Sequence, residues 1–158
     1  MNDAAPSFLL LQLQQERQTL DELLSLIVDE QRLLMHNQIN DIQVILEKKS
    51  RHIAQLAQLT QQRYQLLSQQ GYPANETGMQ LLLEQQSDAI VIDAWQQLLD
   101  RVLHAKQLNH TNGLIINTQL NRNRNALNVL AGAGVLDNLY GANGQTHLPQ
   151  VQRGHVIG

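Results

Sequence analysis

The chain has 158 residues, a net charge of −3 and no cysteine, and aromatic residues make up only 3% of it. The absence of cysteine excludes disulfides, thiol catalysis and thiolate metal sites. A nucleic-acid-binding protein usually presents a basic face, which this balance of charge does not favour. The predominance of Leu, Ile, Gln, Asn and Glu is typical of an all-α protein, so we predict a single helical domain with a C-terminal tail.

The N-terminal region contains a short apolar run at residues 8–11, with no Lys or Arg before it and several Gln residues after it. This run is too short, and too polar in its flanks, for a signal peptide or a membrane span. We therefore expect a cytoplasmic protein with no membrane insertion.

A first helix is predicted over residues 7–36, with Ser7 as its N-cap. Its core-facing residues recur at alternating steps of four and three, which is the spacing of a coiled-coil seam. These first-helix seam residues are Leu9, Leu13, Glu16, Leu20, Leu23, Ile27, Glu30 and Leu34.

A second helix is predicted over residues 41–70, and the short connection makes the two helices antiparallel neighbours. Its seam residues are Ile45, Lys49, His52, Leu56, Leu59, Arg63, Leu66 and Gln70. Folding the pair about residues 38–40 places Glu30 opposite Lys49 and Glu16 opposite Arg63. We predict an antiparallel hairpin whose register these two ion pairs fix. A second apolar stripe is expected to receive a third helix; it comprises Leu10, Leu24, Val28, Leu46, Ile53 and Leu67.

The hairpin ends at Gly71, and a short helix is predicted at 79–86 before a long third helix at 93–130 that Asp93 caps. Trp95 in its first turn is expected to anchor the core. Asn109 and Asn112 occupy its seam, where Asn usually fixes register. Gly113 lies inside it, where Gly usually lets a neighbour approach closely. Residues 1–131 are thus predicted to form a three-helix, coiled-coil-like bundle.

Residues 132–158 are rich in Gly and poor in charge, and we expect them to form a flexible C-terminal tail. An apolar patch lies within this tail at residues 135–141. Two interpretations of the patch remain open: a recognition element that orders on binding a partner, or a strand-like flap that folds onto the bundle.

No catalytic residue, cofactor or metal is predicted, so the chain is not expected to be an enzyme. The six His residues occur without the spacing of a zinc protease or a dinuclear bundle site, and there is no glycine-rich phosphate loop. Asp100 and His104 lie one helical turn apart and could hold a metal only weakly. His104 beside Lys106 is similar to the exposed His of a phosphotransfer helix, so a His phosphotransfer bundle is one alternative. A structural coiled-coil adaptor is another.

Two segments resemble the FlgN family of flagellar export chaperones. They are residues 108–115, Leu-Asn-His-Thr-Asn-Gly-Leu-Ile, and residues 139–146, Leu-Tyr-Gly-Ala-Asn-Gly-Gln-Thr. The layout of a long hairpin, a third long helix and a Gly-rich tail is similar as well. Residues 149–158 match no motif of the family, and we assign no role to them.

The resemblance implies a cytoplasmic chaperone that binds the C-terminal amphipathic helices of the hook-filament junction proteins FlgK and FlgL. Such a chaperone prevents their premature self-association and delivers them to the export gate protein FlhA. By the resemblance, Tyr140 is expected to dock on that gate. The residues expected to bind the client are Leu120, Leu127, Leu130, Val135 and Leu136.

Overall fold

A computed structural model describes residues 4–86 and 88–131, and it is helical in almost all of them. The helices are α1 (Ala4–Met35), α2 (Ile39–Gln69), α3 (Glu76–Gln86) and α4 (Ala89–Ala131). The predicted all-α fold is therefore confirmed. The chain divides into two compact units inside α4, one reaching Asn112 and one starting at Gly113. The predicted tail, residues 132–158, lies outside the described residues.

Helices α1 and α2 form the predicted antiparallel hairpin. The turn is set by Asn37, which has a left-handed φ of 56°. The amide of Gln38 donates to the Leu33 carbonyl at 2.9 Å and the amide of Asn37 donates to the Leu34 carbonyl at 3.3 Å, which together close the helix end. All eight first-helix seam residues are buried, whereas those of α2 are half-buried except for buried Arg63. Helix α1 is thus the central helix of the bundle.

The segment between α2 and α3 is compact. Gly71 adopts a φ of 84° and ends α2 as predicted. Helix α3 begins at Glu76 rather than at residue 79, because the side chain of Asn75 accepts a hydrogen bond from the Gly78 amide at 2.9 Å and caps it. A Cβ built on Gly78 would lie 1.8 Å from the Pro73 carbonyl oxygen. Only glycine allows the first turn of α3 to approach the loop this closely.

Helix α4 begins four residues earlier than predicted, and Asp93 is not its cap. Asp88 is the cap, since its Oδ1 accepts hydrogen bonds from the amides of Ile90 at 2.9 Å and Val91 at 3.4 Å. Asp93 instead accepts a hydrogen bond from Gln97 one turn later, at 2.7 Å. Helix α1 likewise begins at Ala4, before the predicted cap at Ser7.

The first unit has its core between α1 and the N-terminal part of α4. The two helices run parallel. Two contacts show this direction: Arg17 donates to Gln97 at 2.7 Å, and one turn further along both helices Arg101 donates to Asp21 at 2.6 Å. Trp95 is buried in this core, as predicted. The core residues that it joins include Leu13, Leu20, Leu67, Met79, Leu82, Val91 and Leu98.

The predicted second stripe is only partly correct. Leu10, Leu24 and Leu67 pack in or against the core, but Val28, Leu46 and Ile53 are 50%, 40% and 52% exposed. At the turn end of the hairpin, α4 meets α1 and α2 through polar side chains instead of an apolar stripe. Those polar side chains are the first component of the candidate site.

Candidate functional site

A polar network joins α1, α2 and α4, and we call it the polar layer: Glu30, Lys49, Asn109 and Asn112. Its members Glu30 and Asn112 are buried. Lys49 Nζ donates to Glu30 Oε2 at 2.8 Å and to Asn109 Oδ1 at 3.0 Å. Asn112 Nδ2 donates to Glu30 Oε1 at 2.9 Å and to the main-chain carbonyl of Ile27 at 2.9 Å. Glu30 is therefore paired at both carboxylate oxygens, which offsets the cost of burying its charge.

The two asparagines of α4 differ sharply in burial. Asn112 is 1% exposed and ranks among the most deeply buried side chains of the first unit, whereas Asn109 is exposed. Asn112 Oδ1 has no hydrogen-bond partner in the described residues, so the amide acts there purely as a donor. The polar layer consequently fixes the axial position of α4 against the hairpin, because shifting α4 by one turn would leave Glu30 buried with a single partner.

A second ionic cluster lies nearer the other end of the bundle. Arg63 Nε donates to Glu16 Oε1 at 2.8 Å, and both side chains are almost completely buried. Arg63 Nη2 also donates to Glu76 at 3.1 Å, and the Tyr64 hydroxyl donates to the same carboxylate at 2.7 Å. The guanidinium carbon lies 4.8 Å from the centre of the Trp95 ring. These contacts hold a cation inside the bundle and connect α1, α2, α3 and α4.

Burial raises the pKa of the Glu16 carboxyl, and the neighbouring Arg63 offsets only part of that effect. The hydrogen bond to Glu76 raises the pKa of the Tyr64 hydroxyl. The Thr60 hydroxyl donates to Glu16 Oε2 at 3.5 Å, and the Gln12 side chain also hydrogen-bonds this carboxyl. Arg63 Nη1 is buried without a hydrogen-bond partner among the described residues. The carboxylates of Glu16 and Glu76 are both paired with Arg63, so the cluster resembles a structural core pair more than an acid–base catalytic dyad.

Next to this cluster is a groove of about 690 Å³ between α2, α3 and the N-terminal part of α4. Its apolar walls are Leu56, Leu83, Trp95, Leu98, Leu99 and Val102. Glu16, Arg63 and Glu76 border it as well. Because residues of all three helices line this space, α2 and α4 are not in tight contact at this level.

The second unit carries an exposed apolar surface on α4, which we call the α4 stripe: Ile116, Leu120, Asn123 and Leu127. These residues follow steps of four, three and four, and at about 100° per residue they lie on one face of the helix. Ile116, Leu120 and Leu127 are 37%, 42% and 49% exposed. Exposed apolar residues in such a row usually mark a surface that binds another protein.

The remaining candidate chemistry finds little support in the described part of the chain. His104 and His110 are exposed, which the phosphotransfer alternative requires but which is also ordinary for His on a helix surface. Among residues 4–86 and 88–131, no three His, Asp or Glu side chains come together where they could hold a metal ion. Within the same ranges, no helix combines the length and the apolar character that crossing a membrane requires.

Comparison with known proteins gives a consistent result. The family model described as FlgN protein matches residues 7–147. The chain belongs to the FlgN family. It is 26% identical over 115 residues to Flagella synthesis protein FlgN of Salmonella typhimurium, which covers 68% of this chain and 81% of the relative. It is 29% identical over 118 residues to the Escherichia coli protein of the same name, with the same coverage. No solved structure matches the chain.

The structure of this FlgN-family chain gives a physical reason for the motif at residues 108–115. Asn109 and Asn112 complete the polar layer on Glu30 and Lys49, so both predicted ion pairs of the hairpin are present and one of them recruits α4. Gly113 does not act as expected, since a Cβ built there would meet no other heavy atom within 4 Å among the described residues.

The residues expected to bind clients are only partly described. Leu120 and Leu127 lie on the α4 stripe and are exposed. Leu130 falls in the last turn of α4, and its side chain is outside the described residues. Val135, Leu136 and Tyr140 also lie outside them. Client binding and gate docking by these residues remain predictions.

The roles of Glu76 and Tyr64 beside Arg63 were not predicted from the sequence. The heptad spacing of the long helices does not include Glu76, because Glu76 lies in the first turn of the separate short helix α3. Asn75, Glu76 and Gly78 together could have indicated a capped helix start, since Asn is a frequent N-cap and Glu is favoured in the first turn.

Proposed function

We propose that this FlgN-family chain is a cytoplasmic export chaperone for the hook-filament junction proteins FlgK and FlgL. It binds their C-terminal amphipathic helices, prevents premature self-association and delivers them to the export gate protein FlhA. The relatives are named for flagella synthesis, which supports a role in that process.

The α4 stripe is the observation that supports client binding most strongly. An amphipathic helix binds a helical surface by laying its apolar residues against a row with matching spacing. Fully burying one Leu or Ile contributes about 1.5–3 kcal/mol. Because the stripe's apolar residues are 37–49% exposed, covering them contributes roughly 1 kcal/mol each by the same scale. Such a modest gain suits a chaperone that must later release its client.

Delivery to the gate is assigned to Tyr140, which lies beyond α4 in the second family motif. Separating the client surface on α4 from a docking residue further along the chain would allow a loaded chaperone to bind the gate. This assignment follows from the family resemblance of residues 139–146.

Titration calorimetry with a synthetic peptide of a FlgK C-terminal helix tests the proposal. We expect saturable binding with a negative heat-capacity change, because apolar surface is buried. Leu120→Ser should weaken binding about tenfold or more. Leu114→Ser is the matched control, since Leu114 is 54% exposed but lies on the opposite side of the helix from the stripe.

Lack of binding by a well-folded protein would favour the alternative of a structural coiled-coil adaptor. Equal weakening by Leu120→Ser and Leu114→Ser would show that the peptide does not recognise the stripe. A His phosphotransfer bundle would instead incorporate phosphate, and substitution of His104 or His110 would abolish that incorporation.

A further inference from the structure

The groove between α2 and α4 is bordered by two rows of side chains, and we call the surface between them the α2–α4 groove. Steps of three, four and three residues place the members of each row on one side of their helix. The α2 row is Ile53, Leu56, Thr60 and Arg63, and the α4 row is Gln96, Leu99, Leu103 and Lys106. Six of these eight residues line the groove, and the other two, Ile53 and Leu103, are 52% and 57% exposed.

The spacing of the two rows fits a helix. Rows at heptad spacing on two neighbouring helices form the holes into which the side chains of a further helix insert. Within residues 4–86 and 88–112, α1, α2 and the first part of α4 occupy three positions of a four-helix bundle, and the α2–α4 groove is the fourth. The α4 row reaches from Gln96 to Lys106, which is about 15 Å along the helix axis and matches about three turns of an added helix.

One end of the α2–α4 groove carries a cation without a partner. Lys106 is exposed, and none of the ion pairs among the described residues includes it. A helix in the groove would bring its own side chains next to this ammonium group. An acidic residue at that level would be attracted to Lys106, and a basic residue would be repelled.

The other end of the groove has a buried donor without a partner. Arg63 Nη1 makes no hydrogen bond among the described residues, although Nε and Nη2 of the same side chain donate to Glu16 and Glu76. These two acidic side chains would repel a third carboxylate, so an uncharged acceptor suits this end better. A Gln or Asn amide meets both requirements, since its carbonyl can accept from Arg63 while its NH2 group can donate to a carboxylate.

We propose that the α2–α4 groove binds one amphipathic helix of a partner protein. That helix is about three turns long, and its apolar row ends in an acidic residue beside Lys106 and in an amide residue beside Arg63. None of the groove residues belongs to the α4 stripe. The α2–α4 groove is therefore a second helix-binding surface, and it does not depend on the client site proposed above.

Three designed peptides of equal length test this inference with the full-length protein. Each is a heptad helix with Leu at the inner seam positions and two test residues at the ends of that row, spaced as Gln96 and Lys106 are. The test residues are Glu and Gln in the first peptide, Gln and Gln in the second, and Glu and Met in the third. Calorimetry should show the first peptide binding about threefold more tightly than the second, which lacks the ion pair with Lys106. It should bind about fivefold more tightly than the third, because Met offers Arg63 only a weak acceptor.

Substitutions at exposed positions of the protein complete the test. Lys106→Glu should reverse the preference between the first two peptides, whereas Lys48→Glu should not, because Lys48 is also exposed but does not line the groove. Leu103→Ser should weaken binding of all three peptides about fivefold, since it removes apolar surface from the α4 row. Leu11→Ser is its matched control, because Leu11 is 52% exposed and lies on α1 outside the groove.

Equal affinity of the wild-type protein for the three peptides, or no binding at all, would overturn the inference. Binding that Leu120→Ser weakens but Leu103→Ser does not would also overturn it, because the peptides would then lie on the α4 stripe. A dimer of the wild-type protein that Leu103→Ser dissociates in sedimentation experiments would show that a second copy fills the groove instead. The titration with the FlgK peptide tests the chaperone proposal separately, since its readout is Leu120→Ser.

Discussion

Asn112 on α4 donates its side-chain amide to the Glu30 carboxylate on α1 at 2.9 Å, across 82 residues of sequence. Lys49 on α2 occupies the other oxygen of the same carboxylate at 2.8 Å. One buried acidic side chain thereby links the three long helices. The hairpin's ion pair and the family motif of α4 are parts of a single network.

The first prediction concerns this network. Asn112→Ala should lower the free energy of unfolding by about 2–3 kcal/mol, because it removes a hydrogen bond to a buried charged group and one to a main-chain carbonyl. Asn109→Ala should cost less than about 1 kcal/mol, since Asn109 is exposed and water can replace it at Lys49. Urea denaturation followed by circular dichroism measures both. Equal losses at the two positions would contradict the central role of Asn112.

The second prediction follows from the raised pKa of Glu16. A carboxyl whose pKa is higher in the folded state contributes stability that is fully present below its unfolded pKa and is lost as the pH rises through the folded pKa. The side chain of Gln in the Glu16→Gln variant is neutral at every pH. The stability advantage of the wild type over Glu16→Gln should therefore shrink as the pH rises from below 4.5, the ordinary pKa of a Glu carboxyl, toward neutral pH.

Urea unfolding of both proteins at several pH values within that range measures the change. Glu84→Gln, at an exposed carboxyl, is the control for the substitution itself. Glu16→Ala should cost about 3–5 kcal/mol, because Arg63 would remain buried without its principal acceptor. An advantage of the wild type over Glu16→Gln that grows with pH would show that the attraction to Arg63 outweighs burial.

The third prediction compares two glycines inside helices. Gly78→Ala should destabilise the fold by about 1–3 kcal/mol, because its methyl group would collide with the backbone of Pro73. Gly113→Ala should stabilise the helix by up to about 1 kcal/mol, since Ala favours a helix and no described atom stands in the way. Thermal unfolding of the two variants separates these effects by their opposite signs. A loss of stability in Gly113→Ala would reveal a contact that only glycine allows.

The fourth prediction concerns Tyr140. Tyr140→Ala should leave the affinity for the FlgK peptide unchanged while weakening binding of the loaded chaperone to FlhA, because Tyr140 is not among the residues proposed to bind the client. Calorimetry with the peptide and a pull-down with the FlhA cytoplasmic domain measure the two properties separately. Loss of both would mean that Tyr140 contributes to the client site.

The hairpin and its register could be predicted from the sequence alone. Heptad spacing is local information, and two oppositely charged pairs match only when Glu30 faces Lys49 and Glu16 faces Arg63. The family could also be recognised, because its motifs are contiguous segments. The position of α4 along the hairpin, in contrast, depends on tertiary contacts.

That position depends on the segment between α2 and α4, where Asn75 and Asp88 cap helices that periodicity placed several residues too late. Once α4 is positioned, Asn112 is buried against Glu30, whereas Asn109, one turn earlier, remains exposed. Both residues belong to the same predicted row. Their different roles arise because burial depends on the neighbouring helices, and spacing along one helix contains no information about them.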